Sequence, residues 1–155
     1  MYQISNRWIA KFAAAGLLAV SAACTGAFAA ESAPSTGLGQ AWPNAPDVSA
    51  SPHWHVYAFQ RAGIRYIQVN DLNGNVRAAF ATSGEDFLSL PIGLDASRLA
   101  TPQDPLPPPA SGAGEIVYHD GAVQVLVAPQ TDGTVQLRAA PGTCNDPIEC
   151  SSHLN

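Results

Sequence analysis

Lysine is missing from the sequence after Lys11, and only Arg61, Arg65, Arg77, Arg98 and Arg138 carry positive charge beyond residue 29. A chain so short of cations cannot build the basic stripe that neutralises phosphates, which excludes nucleic acid as a partner. Attraction to an anionic membrane surface is disfavoured for the same reason. All 12 acidic residues lie after residue 29, so that part of the chain carries a net charge of −7. There is no Gly-x-Ser-x-Gly elbow, no glycine-rich phosphate loop and no lysine placed to act as a base. Glu85 and Asp86 are adjacent and would face opposite ways on a strand, so they read as turn residues and not as a working carboxylate pair. No window carries a helical period of useful length beyond one turn at Asp95–Leu99.

Long hydrophobic runs are also missing, with one informative exception. Arg7 and Lys11 precede Phe12 to Ala23, an unbroken small and apolar run, and Ala27-Phe28-Ala29 supplies a small-x-small site. The run falls short of the roughly 18–20 residues of a permanent span and fits a cleavable signal of residues 1–29, with cleavage after Ala29. The expectation is an exported protein, periplasmic or secreted, with no stable membrane span in the mature chain. Cys24 raises a second reading as a lipid-anchored cysteine, but Ser21 stands where that signal wants an apolar residue.

Of the three cysteines, Cys144 and Cys150 remain after such a cut. An exported pair oxidises, and a loop this short gains about 2 kcal/mol while stapling the tail to itself. A redox role wants the tighter Cys-x-x-Cys spacing.

Residues 30–52, rich in Ala, Ser, Pro and Gly with Trp42 as the one large anchor, read as a flexible leader. Residues 53–100 read as a β-meander, 101–114 as a Pro/Gly-rich linker with Pro105-Leu106-Pro107-Pro108-Pro109 in polyproline II, 115–140 as a second β block of the same domain, and 141–155 as a tail with the disulfide loop. Strands are expected at 53–60, 64–70, 76–82, 87–90, 115–119, 122–127 and 134–139, divided by Gly-containing turns every 10–11 residues in the first block. The fold class is all-β: a small antiparallel meander and hairpin sheet of about seven strands, curled into a partial barrel or a sandwich, with disordered leader and tail. Apolar groups on both faces of the first strand, Tyr57 and Phe59 on one and Trp54 and Val56 on the other, call for cover on both sides of the sheet. Spans this small obtain about 3–5 kcal/mol from a single core, so the two blocks must pair or a partner must help.

His53-Trp54-His55 places two imidazoles on one side of a strand, and His119 could supply a third ligand to a zinc ion that activates water. Paired surface or packed histidines are the competing reading, and His153 is assigned nothing. Asp71-Leu72-Asn73-Gly74-Asn75 resembles a calcium loop only superficially, because Gly stands fourth and Thr82 occupies the position of the bidentate acid; Asn73-Gly74 reads as a tight turn with positive φ. Arg61, Arg65 and Arg77 near Trp54, Tyr57 and Tyr66 supply the residue types that anchor interfaces, and Tyr57, Arg65, Tyr66 and Arg77 form the candidate interaction face. The function expected is a non-enzymatic binding or envelope accessory module with no cofactor and an envelope or secreted protein as partner. The alternative is a metal-binding protein or metal-dependent enzyme using His53 and His55. Unpaired edge strands leave room for dimerisation.

Overall fold

The structure, a computed structural model, describes residues 37–152. The expected signal segment, Cys24 and His153 lie outside the described residues.

Residues 54–90 fold as the turn chemistry dictates. β1 (Trp54–Arg61) and β2 (Ile64–Asp71) meet through Ala62 and Gly63, whose φ angles of 51° and 81° give a two-residue turn matched to strand twist. β3 (Val76–Ser83) follows a turn in which Gly74 sits at φ 83°, and β4 (Asp86–Leu90) follows Gly84 at φ 65°. The result is a four-stranded antiparallel sheet in the order β1-β2-β3-β4. A bulge between Val69 and Asn70 leaves Arg77 unpaired on β3.

The second sheet is built from β5 (Leu99–Ala100), β6 (Glu115–His119), β7 (Val123–Pro129) and β8 (Val135–Pro141) in the order β5-β8-β7-β6. The eighth strand, β5, pairs parallel to β8 over only two residues, too few to register as a period in the sequence. A single 3-10 turn, Ala96–Arg98, precedes it. Asp95 does not cap that turn with its side chain, because the carboxylate is used elsewhere. α1 (Pro147–Cys150) is one helical turn, started by Asp146, whose side chain accepts from the Ile148 N–H at 2.9 Å.

The two sheets share one core. Val56, Ile67, Val69, Phe80 and Phe87 of the first pack with Val117, Val123, Val125, Val127 and Leu137 of the second, and Trp54 joins from the side. The fold is all-β, with two sheets and no closed barrel.

Both outer faces are covered by irregular chain. Gln68 and Asn70 point away from the core and are fully buried. Gly39 N–H donates to Gln68 Oε1 at 2.6 Å, and Gln68 Nε2 donates to the Gln40 carbonyl at 2.8 Å. Asn70 Nδ2 donates to the Ala41 carbonyl at 2.7 Å. Residues 37–48, the later part of the expected leader, are therefore held on the first sheet. Their composition gives no sign of it, because the groups that satisfy their backbone belong to β2.

The expected linker is likewise attached. Gln136 Nε2 donates to the Pro107 carbonyl at 3.0 Å, and buried Arg138 donates to the carbonyls of Leu106 and Pro107. Cys144 and Cys150 form a disulfide, and the turn that it closes also rests on Arg138. No helix among the described residues is long and apolar enough to cross a membrane.

Candidate functional site

The histidines are distributed and do not converge. His53 Nδ1 lies 3.2 Å from Glu115 Oε2 on β6. His55 Nδ1 lies 2.7 Å from Asp47 Oδ2, on the covered outer face. His119 Nε2 approaches the Gly142 carbonyl at 3.4 Å. Each ring has its own partner, and among the described residues no group of three or more His, Cys, Asp or Glu could hold a metal ion. Asp71, in the calcium-like loop, spends Oδ1 on the N–H groups of Asn73 and Asn75, both at 2.9 Å. Those bonds, the Asn75 side chain and Arg77 outweigh the opposing effect of burial and hold its carboxyl below the usual aspartate range.

Tyr57, Arg65, Tyr66 and Arg77 do not share a surface. In the β1–β2 register Tyr57 stands opposite Gln68 and Tyr66 opposite Phe59, on the outer face, whereas Arg65 lies on the other. Tyr57 is 5% exposed, and its backbone bridges to Asp47, which runs beside β1. Burial, with the nearby Asp47 charge, raises its phenol pKa. Arg65 forms an ion pair with Asp120 in the β6–β7 turn, and the Tyr118 hydroxyl donates to the same carboxylate at 2.7 Å. Arg77 donates from Nε to Asp95 Oδ2 at 2.6 Å and from Nη2 to the Gly133 carbonyl at 3.3 Å. Asp95, 2% exposed, accepts the Val135 N–H with its other oxygen at 3.1 Å. The two arginines are thus clasps between the sheets, one at Asp120 and one at Asp95.

One open part of the first sheet is its β4 margin. Leu88 faces outward and is 62% exposed, with half-exposed Ile64 nearby. A cavity of about 170 Å³ opens here, lined by Ile64, Ala81, Thr82, Phe87, Leu88 and Asp86, among others. That is close to the roughly 150 Å³ that takes a benzene-sized group. The Thr82 Oγ1 hydroxyl is buried with no hydrogen-bond partner among the described residues, an unmet polar group in an apolar wall.

The backbone of this margin is only partly paired. In the β3–β4 ladder Phe87 and Ser89 alternate with the hydrogen-bonded positions and direct their N–H and C=O groups away from β3. The Phe87 N–H confirms that direction, since it donates to Gln103 Oε1 at 3.2 Å. Gln103 Nε2 in turn donates to the Glu85 carbonyl at 3.3 Å. A side-chain amide therefore imitates a neighbouring strand for one residue, and the next outward position, Ser89, opens on a broad depression of about 510 Å³ lined by Leu90, Pro91 and Leu94. Glu85 and Asp86 are exposed here and make no ion pair among the described residues.

Sequence reasoning passed over Leu88, Ile64, Thr82 and Gln103. Apolar residues at both 87 and 88 of a strand that ends a meander were the available signal, because an edge strand with one wet face needs only one of them.

Comparison with protein-family models, with curated proteins and with solved structures finds no match for this chain.

Proposed function

We propose that the protein is an exported, non-enzymatic binding module that captures an extended segment of another envelope or secreted protein along β4. The observation that carries this reading is an edge strand whose outward backbone groups at Ser89 are unpaired beside an apolar side-chain cavity. Strand addition supplies affinity through main-chain hydrogen bonds, and a pocket for alternate side chains supplies selectivity. The segment that fits carries an aliphatic or aromatic residue for the cavity. It also carries Lys or Arg within a few residues, opposite Glu85 and Asp86, because unpaired acids beside the edge favour a cation and repel an acidic strand. Arg65 and Arg77 are committed to clasps and are not free for recognition, whereas the β4 margin offers backbone and apolar groups of its own. The acidic surface and the Cys144–Cys150 disulfide are compatible with work outside the cytosol.

A photo-crosslinking side chain placed at Leu88, and in a parallel sample at exposed Leu72, tests the reading in cells of the natural host. The expected result is a single adduct from position 88, mapped to a partner segment that carries a basic residue, and none from position 72. No adduct, or equal labelling from both positions, rejects the β4 margin as a binding site.

A further inference from the structure

Arg138 is fully buried, yet among the described residues no carboxylate forms a hydrogen bond or ion pair with it. Its guanidinium donates to the Leu106 carbonyl at 3.2 Å, to the Pro107 carbonyl, to the Ile148 carbonyl at 3.3 Å, and to the hydroxyls of Ser151 and Ser152 at 2.9 and 2.7 Å. Two of these acceptors belong to the proline-rich segment, one to α1 and two to the turn that follows it. The two segments are also joined directly, since the Leu106 N–H donates to the Ser151 carbonyl at 3.1 Å. They form one cover over the second sheet, locked by a single cation.

The geometry of that turn depends on a covalent bond. α1 has four residues, too few to persist without support. Its last residue, Cys150, is tied to Cys144. Cys144 is anchored to the sheet by its N–H to the Pro141 carbonyl at 3.0 Å and by its carbonyl to Gln124 Nε2. Both cysteines are partly exposed.

We infer that Cys144–Cys150 is a modification site for thiol–disulfide exchange with a dithiol reductant, and that its reduction releases the turn and the proline-rich segment together. A thiolate of the dithiol attacks one sulfur, giving a mixed disulfide. The second thiol of the reductant then displaces the protein sulfur. The protein S–S bond breaks, an S–S bond forms in the reductant, and two electrons and two protons end on Cys144 and Cys150. With the turn opened, Arg138 loses the Ile148, Ser151 and Ser152 oxygens and Leu106 loses the acceptor of its N–H. Pro105-Leu106-Pro107-Pro108-Pro109 then stands away from β8 as an accessible polyproline segment, while the two-sheet core, which contains neither cysteine, persists.

Amide hydrogen exchange of the full chain, oxidised and then reduced with dithiothreitol, tests this. The Leu106 amide is expected to exchange at least about tenfold faster after reduction, with the Ile67 and Val69 amides unchanged, as befits a local opening. A Cys144→Ser, Cys150→Ser chain without reductant is expected to give the same pattern. An unchanged Leu106 rate overturns the proposal, and so does equal acceleration at Ile67 and Val69, which would make the bond a staple of the whole fold. The β4 margin takes no part in either readout.

Discussion

The two sheets carry covers of similar composition held by different chemistry. Residues 37–48 lie on the first sheet, where the neutral amides of Gln68 and Asn70 meet backbone groups of Gly39, Gln40 and Ala41. Residues 106–107 and 148–152 lie on the second, where one cation meets five oxygens. An amide both donates and accepts, so Gln68 can bind an N–H and a carbonyl of the same segment. A proline-rich segment offers almost no N–H groups, and its natural complement is a side chain that only donates, which is what arginine is. Burial pushes the Arg138 guanidinium below its usual pKa, opposed only by the charge of Asp146. The second cover therefore rests on a costlier group and should be the more sensitive of the two.

That ordering can be broken by mutation. Arg138→Met leaves two carbonyls, a third from Ile148 and two hydroxyls without their donor, and a loss of about 3–5 kcal/mol in urea unfolding is expected, because each buried acceptor left unsatisfied costs about 1–3 kcal/mol and part of the set regains water. A loss below about 1 kcal/mol would mean that packing, and not the cation, holds the cover. Gln68→Leu deletes a smaller, neutral contact, and a loss of about 1–3 kcal/mol is expected, with faster amide exchange at Gly39 but not at Leu106. The smallest effect concerns Asp47. Burial opposes its ionisation, but bonds from His55 and from the N–H groups of Val56 and Ser49 prevail and hold its carboxyl below the usual aspartate value of about 3.9. A carboxyl with a depressed folded pKa lends stability above its unfolded pKa and withdraws it as pH falls through the folded one. The urea midpoints of the parent chain and of Asp47→Asn should thus differ at neutral pH and draw together as pH falls below the usual aspartate value toward the depressed folded pKa; a gap that does not narrow at all across the acid range would assign the difference to shape and not to charge.

Much of the fold was legible in the sequence, because its turns are encoded locally. Asn73-Gly74, Ser83-Gly84, Asp120-Gly121 and Asp132-Gly133 all precede or follow strands within a residue or two of their expected ends. The two-residue β5 was not legible, since it exists only as an addition to β8. Nor were the covers. Ala-, Ser- and Pro-rich segments bury little apolar surface of their own, and what orders residues 37–48 is an amide pair some thirty residues later in the chain. The interaction face failed to assemble for a related reason: Tyr57 and Arg65 belong to neighbouring strands, but register sends them to opposite faces, and Arg77 is displaced by a bulge that no pattern of residue types announces. The β4 margin was hidden because its key feature, an unpaired N–H and C=O at Ser89, belongs to the backbone and has no letter in the sequence.

The way Arg138 grips its cover bears on how this protein can change over generations. Carbonyl oxygens are common to every residue, so the grip at 106 and 107 does not read side chains. Substitutions that keep the extended path between residues 105 and 109 leave the attachment intact, whatever they present to solvent. A single donor on β8 thereby fixes the position of a stretch of surface without fixing its side chains.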